Sequence, residues 1–335
     1  MIKDTMTAEG ITKYLSELCI DSGIEVEVFP SVGSTNTICI ERARAGAPAG
    51  YVAVACEQTG GRGRMGRQFY SPEGTGIYMS MLLRPESVPA ERVSDITTMA
   101  AVAVCQAIET VCGKAAEIKW VNDVFVDGRK VCGILTEAEF NPTVSRTQSS
   151  PTKATAESKA GTSVAGGSTI FAVPGIGINV YEPEGGFPDE IKDTAGAIFS
   201  SQENAESTID SATDSESGHA NAVNDDSHYS YNAITNIANS NDIKNRLAAE
   251  VLNRFMEYYI EFVTSFSAGV GDTHFGWSDE YRRRCFVVGK PVTVIAHGTS
   301  RSAVATGLDE RCHLIVRYDD GSAEVLSTGE ISIRI

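Results

Sequence analysis

Long apolar runs are missing from this 335-residue chain. No stretch of 18 or more consecutive apolar residues occurs, so the sequence offers no continuous hydrophobic membrane span. The opening "MIKDTMTAEG" lacks a basic segment followed by an apolar one, and no secretory leader is expected. Histidine is scarce, at five residues, and none falls at metal-ligand spacing, so zinc is not expected. The eight cysteines (Cys19, Cys39, Cys56, Cys105, Cys112, Cys132, Cys285 and Cys312) include no C-x-x-C pair. Most sit inside apolar runs such as "VAVACEQ" and "RKVCGIL", which fits a reducing, cytoplasmic setting better than a disulfide framework. Positive charge is in short supply: 28 Lys and Arg stand against 44 Asp and Glu, a formal charge of −16. A chain this acidic is a poor general binder of DNA. The G-x-x-x-x-G-K-[ST], H-R-D and D-F-G signatures are absent, which excludes P-loop and protein-kinase chemistry.

What is present is a chain 42% hydrophobic, enough for one large core and a small second domain. Two segments stand apart. Residues 141–168 are rich in Ser, Thr, Ala and Gly and hold no aromatic residue. Residues 200–241 carry seven acidic residues and no Lys or Arg, so the remainder is nearer −9. Both read as loosely ordered insertions. Around them the pattern alternates. A short helix is expected over about 7–19, and another over "STNTICIERARAG", with Ser34 or Thr35 as N-cap and Gly46 near its end. "YVAVACEQ", "GIYMSMLLRP" and "TIFAVPGIGINVY" read as strands, as does "AEIKWVNDVFVDGRKVCGILTEAEF" with a turn at Asp127-Gly128. A long helix should end at Gly113, and a second should bury Leu247, Val251, Phe255, Tyr259 and Phe262. The last fifty residues give short strands between Gly and Asp turns, the pattern of a small β-barrel.

Residues 61–67, "GRGRMGR", fit G-x-G-x-x-G, but the context of a nicotinamide site is missing. A strand precedes the stretch, yet "QFYSPEGTGIYMS" follows it and resumes a strand where a helix is required. What remains is a glycine-rich loop bearing Arg62, Arg64 and Arg67. Glycines let backbone N–H groups approach a ligand, and guanidinium groups bind carboxylates and phosphates in pairs of hydrogen bonds. A local cationic loop in an acidic chain points to a small anionic ligand.

Four stretches in order, "STN" at 34–36, "EQTGGRGRMGRQFYSPEGTGIYMSM" at 57–81, "KWVNDVFVDGRKVCGILTE" at 119–137 and "GIGINV" at 175–180, resemble the biotin–protein ligase family. Val121 stands where that family usually has proline, and "STGE" where it usually has "GGE". The resemblance implies an α+β fold. A mixed-sheet catalytic domain with flanking helices would span residues 1–283, and an SH3-like β-barrel residues 284–335. It also implies two half-reactions: biotin and MgATP give biotinyl-5′-AMP and pyrophosphate, and the biotinyl group then passes to a lysine of a biotin carboxyl carrier domain.

By the same resemblance, Lys130, Arg64 and Asp123 are the candidate catalytic residues. Lys130 would hold the biotin carboxylate and the α-phosphate, and Asp123 is a candidate base for the acceptor lysine. Ser34, Thr35, Asn36, Gln58, Arg62, Gly63, Arg64, Lys130 and Gly133 would bind biotin. Neutral side chains such as Ser, Thr, Asn and Gln can satisfy its ureido ring without adding charge. Arg62, Arg67, Lys119, Trp120, Asn122 and Asn179 would serve ATP, with a plain core role equally open for Trp120. Mg²⁺ would come with ATP, held mostly by phosphates and water. Only 33 residues precede Ser34, so the form expected is the ligase without a DNA-binding domain, a monomer or homodimer that needs neither DNA nor membrane. Two alternatives stand beside it: a lipoate or octanoate ligase or transferase, and a biotin-binding module without turnover.

Overall fold

The structure, a computed structural model, describes residues 4–141, 169–199, 242–271, 274–296 and 299–332. Apart from Asn141, both expected insertions lie outside the described residues.

Seven strands form the main sheet: β1 (Glu25–Phe29), β2 (Tyr51–Ala55), β3 (Gly76–Met81), β4 (Glu117–Lys119), β5 (Asp123–Val126), β6 (Arg129–Phe140) and β7 (Thr169–Asn179). Their order is β1-β2-β3-β7-β6-β5-β4. The β1–β2 pair is parallel and the rest are antiparallel, so the sheet is mixed. The helix α3 (Thr35–Arg44) provides the crossover that a parallel pair requires. Asp127 (φ 50°) and Gly128 (φ 74°) both take positive φ, as a two-residue hairpin joining β5 to β6 demands.

Strand alternation decides the two faces. Val52, Val54, Ile77, Met79, Ile176, Ile178, Cys132, Ile134 and Val124 go to the main core. There they meet α4 (Ser94–Cys112) and α5 (Ile243–Ser267), which pack on each other. Gly113 ends α4 in the left-handed conformation, as its lack of a Cβ allows. The stretch 90–112 is long and apolar enough to cross a bilayer by length and composition, although it holds no unbroken apolar run of 18 residues. Here 72% of its most apolar window is buried inside the protein, and it serves as the core helix. The opposite face of the sheet carries α3 and the site described below.

Two local expectations change. The helix expected over 7–19 is two helices, α1 (Ala8–Thr12) and α2 (Glu17–Asp21), because Ser16 accepts from Cys19 N and caps a new start. A helix the sequence reading had not assigned, α6 (Gly276–Arg284), docks on α4 through buried Trp277 and Tyr281.

Five further strands, β8 (Pro291–Ala296), β9 (Thr299–Leu308), β10 (Leu314–Tyr318), β11 (Ala323–Leu326) and β12 (Glu330–Ser332), form an antiparallel sheet in the order β11-β10-β9-β8-β12. It is consistent with a small SH3-like domain. We propose that the first domain runs to residue 283 and the second from 284 onward, a boundary that falls at the last residue of α6.

Arg284 ties α6 to α4. It is 7% exposed and donates two 2.6 Å bonds to the Glu109 carboxylate, one of 2.6 Å to Glu280 Oε1 and one of 3.0 Å to Ala116 O. Hydrogen bonds from Arg284 hold Glu109 below the ordinary carboxylate range. A carboxyl depressed in the fold stabilises above its unfolded pKa and loses that contribution as pH falls through the folded value. Arg284→Met should therefore cost about 1–2 kcal/mol at neutral pH, less than a fully buried pair because Glu109 is 39% exposed and screened by solvent. The gap from wild type should narrow below about pH 4, where carboxyls protonate. Urea unfolding at several pH values measures both effects.

Candidate active site

Pairing across the sheet places residues from all seven strands in one row. Phe29, Ala55, Tyr78, Gly177, Gly133, Asp123 and Lys119 follow one another as direct partners from β1 to β4. Directly opposed residues share a face, so the row has glycines at its centre and charge at one end. The neighbouring row adds Ser80, Gly175 and Leu135.

The glycines are a requirement of close approach. A Cβ on Gly175 would lie 1.8 Å from Asn36 Oδ1, and one on Gly177 would lie 2.5 Å from Phe69 Cε1. On Gly133 it would meet Phe69 at 3.1 Å and Lys130 Nζ at 3.3 Å. The run Gly175-Ile176-Gly177-Ile178 achieves this by alternation, sending both isoleucines to the core and both glycines to the site.

Above this floor is a cleft lined by Ser34, Thr35, Asn36, Gln58, Arg62 and Phe69. Its free volume is about 20 Å³, against about 300–1,000 Å³ for typical small-molecule pockets. Phe69 accounts for much of the difference, since it packs directly on Gly177 and Gly133.

Neutral polar groups are wired together at the cleft's inner end. Gln58 Oε1 accepts from Thr35 N at 2.9 Å, and Gln58 Nε2 donates to Ser71 Oγ at 3.2 Å. Thr35 Oγ1 lies 2.7 Å from Ser80 Oγ, which donates to Asn36 Oδ1 at 2.5 Å. Each hydroxyl has one proton. With Ser80 donating to Asn36, Thr35 donates to Ser80, and its 3.2 Å contact with Gln58 Oε1 is secondary. Asn36 Nδ2 donates to Glu137 Oε2 at 2.8 Å. Ser34 occupies the N-cap position of α3 but makes no capping hydrogen bond. It lines the cleft instead, although the sequence also read it as a helix cap.

The charged end is built around Lys130. Its Nζ lies 2.6 Å from Asp123 Oδ1. That oxygen is buried, and the contact lacks hydrogen-bond alignment. Lys130 and Gly133 are three residues apart and would face opposite ways in a regular strand. A β-bulge corrects this: Val124 pairs with Cys132 but Phe125 pairs with Lys130, leaving Val131 as the extra residue. Arg64, in the short 3₁₀ turn Arg64–Gly66, donates to Asn122 Oδ1 at 3.0 Å and to Gly329 O at 2.8 Å. Asn122 is itself fixed to Ile134 O by its amide at 2.9 Å. Asn179 Nδ2 donates to Gly196 O at 3.0 Å, and Lys130 N donates to Thr194 O at 2.9 Å, so one segment braces both residues.

The structure thus brings together Ser34, Thr35, Asn36, Gln58, Arg62 and Gly133 around the cleft. It groups Lys130, Asp123 and, by register, Lys119 at its charged end. Arg64 stands with Asn122, while Gly63 N donates to Arg67 O at 2.7 Å within the loop. Arg67 itself is exposed. Trp120 is 4% exposed, packs in the core, and its indole N–H donates to Cys312 O at 3.0 Å. Phe69, Ser80, Glu137, Gly175 and Gly177 were not singled out from sequence. The strict alternation of "GIGI" was the signal for the two glycines.

Two family models match the chain in order. The Biotin/lipoate A/B protein ligase family covers residues 28–147 and the Biotin protein ligase C terminal domain covers residues 287–334. The chain belongs to the biotin/lipoate A/B protein ligase family. Within that family it is similar to the bifunctional ligase/repressor BirA of Bacillus spizizenii. The two are 39% identical over 191 residues, which is 55% of this chain and 51% of that protein. It is also similar to the biotin–[acetyl-CoA-carboxylase] ligase of Mycobacterium tuberculosis, 35% identical over 117 residues, or 34% of this chain and 44% of that one. The chain spans about half the length of the curated relatives it matches first. Its fold is that of the biotin protein ligase from Aquifex aeolicus solved in complex with biotin and ATP. The TM-score is 0.58 at 21% identity, covering 92% of this chain and 98% of that one.

Proposed function

We propose that this protein is an ATP-dependent biotin–protein ligase. The observation that supports it best is the pairing of a neutral hydrogen-bonding cleft with a cationic end on one sheet face. Biotin has a neutral ureido head and a carboxylate tail, and the site has the same polarity.

The ureido ring would bind among Ser34, Thr35, Asn36 and Gln58, with Gly63 and Arg62 of the loop beside it. The ring body would displace Phe69 from the glycine floor at Gly133. The carboxylate would then point to Lys130. One carboxylate oxygen attacks the α-phosphorus of ATP, the bond to the bridging oxygen breaks, and pyrophosphate leaves. Two anions must meet in this step, and fixed cations offset their repulsion. Lys130, whose Nζ lies 2.6 Å from Asp123 Oδ1, would supply one; Lys119 and Arg67, with Asn122 and Asn179, would serve the nucleotide. Mg²⁺ arrives with ATP. It would be held mostly by the phosphates and water.

In the second step the acceptor lysine amine attacks the biotinyl carbonyl carbon, AMP departs, and an amide remains. The amine must shed a proton, and Asp123 would take it once Lys130 has turned to the phosphate. The acceptor would be a biotin carboxyl carrier domain. Incubation with biotin, MgATP and a purified carrier domain should release pyrophosphate and add one biotinyl group to the carrier, read by mass spectrometry. Pyrophosphate release with lipoate or octanoate in place of biotin would favour the lipoate reading. Biotin binding with no release would favour a module without turnover.

A further inference from the structure

The polar groups of the cleft form one continuous chain whose two ends lie on the same loop. It runs from Ser71 through Gln58, Thr35, Ser80 and Asn36 to Glu137. Glu137 closes it by accepting from Arg62 twice, Nη1 to Oε1 at 3.1 Å and Nη2 to Oε2 at 2.7 Å. Ser71 follows the glycine-rich stretch and Arg62 lies inside its start. Glu137 is the sole charged acceptor in this chain. It sits behind Arg62 and Asn36 and is not among the residues lining the cleft.

We propose that Glu137 is a positioning residue that latches the glycine-rich loop and neutralises Arg62 at the ureido end of the cleft. The identity of the ligand rests on the biotin-ligase reading; the latch does not. Two parallel hydrogen bonds fix a guanidinium in direction as well as distance. The third bond, from Asn36, prevents the carboxylate from following Arg62 into solvent. The same contact cancels the Arg62 charge, so the site's net positive end is left at Lys130. A ligand with a neutral head and an anionic tail is thereby accepted in one orientation.

Glu137→Gln keeps the shape and removes the charge. Its dissociation constant for biotin should rise at least tenfold, through faster release. KM for ATP should stay within twofold and kcat at saturating biotin within threefold. Arg62→Ala should give a similar rise, and the double variant should add less than twofold, because the pair acts as a unit. Tryptic cleavage after Arg64 and Arg67, timed without any ligand, should quicken at least fivefold in Glu137→Gln at unchanged Tm. Biotin release within twofold of wild type, or single effects that multiply in the double variant, would overturn the charge role. Unchanged loop cleavage would overturn the latch. If the wild type binds no biotin, the functional reading fails, while the cleavage result still decides the latch.

Discussion

Lys130→Ala should slow formation of biotinyl-AMP by about 10²–10³-fold, the cost of removing one preorganised charge contact, about 2.7–4 kcal/mol. The structure makes this more specific than a surface-lysine deletion. Lys130 Nζ reaches over the Gly133 backbone and is held 2.6 Å from Asp123 Oδ1. The variant removes the cation and also leaves that carboxylate uncompensated beside the reacting anions. Lys130→Ala should therefore be worse than Lys130→Ala combined with Asp123→Asn, an ordering that a solvated lysine would not produce. Single-turnover adenylate formation, measured at saturating biotin and ATP, tests it. Rates within threefold of wild type would assign the charge role elsewhere.

Arg64→Gly should release the adenylate about 10–100-fold faster while slowing its formation much less. Arg64 bridges three parts of the molecule: the loop it stands on, Asn122 next to β5, and Gly329 before β12 of the second sheet. Hydrogen bonds to a charged group are each worth about 1.5–3 kcal/mol. Loss of two, discounted for partial exposure, gives the stated range. The loop would then be held only by its ends, and the anhydride would escape to water or to stray amines. Release of labelled biotinyl-AMP from a preformed complex measures this directly, and biotinylation of a non-acceptor protein is a second readout. If release is unchanged and only ATP binding weakens, Arg64 acts on the triphosphate instead. Arg64→Lys should recover little, since one ammonium cannot span Asn122 and Gly329 in the geometry of the guanidinium fork.

The strands, the two long helices and the cleft's Ser34-to-Asn36 and Gln58 side were legible in the sequence. They depend on local patterns: alternation, capping and glycine punctuation. The missed residues depend on pairing between distant parts of the chain. Arg62 and Glu137 are 75 residues apart, and nothing local marks Glu137 as the acceptor. Phe69 follows the arginine run and drew no notice, because its role comes from glycines on β6 and β7 that only the sheet register places beneath it. Trp120 stands just past the end of β4, and its indole N–H donates to Cys312 O, a contact 192 residues away in sequence that no local pattern announces. The helix α6 escaped notice because its start lacks a capping side chain and three successive arginines blur its apolar stripe.

The extra residue at Val131 makes the address of the central lysine a matter of counting. Removing Val131 would leave every side chain near the site chemically unchanged. It would also remove the bulge and restore regular pleating, with Lys130 two positions from Gly133 and still on the site face. Deletion of Val131 is thus expected to cost the packing of one buried valine while leaving Lys130 on the face of Gly133. The bulge lets two consecutive residues, Val131 and Cys132, face the core while Lys130 and Gly133 keep the site side.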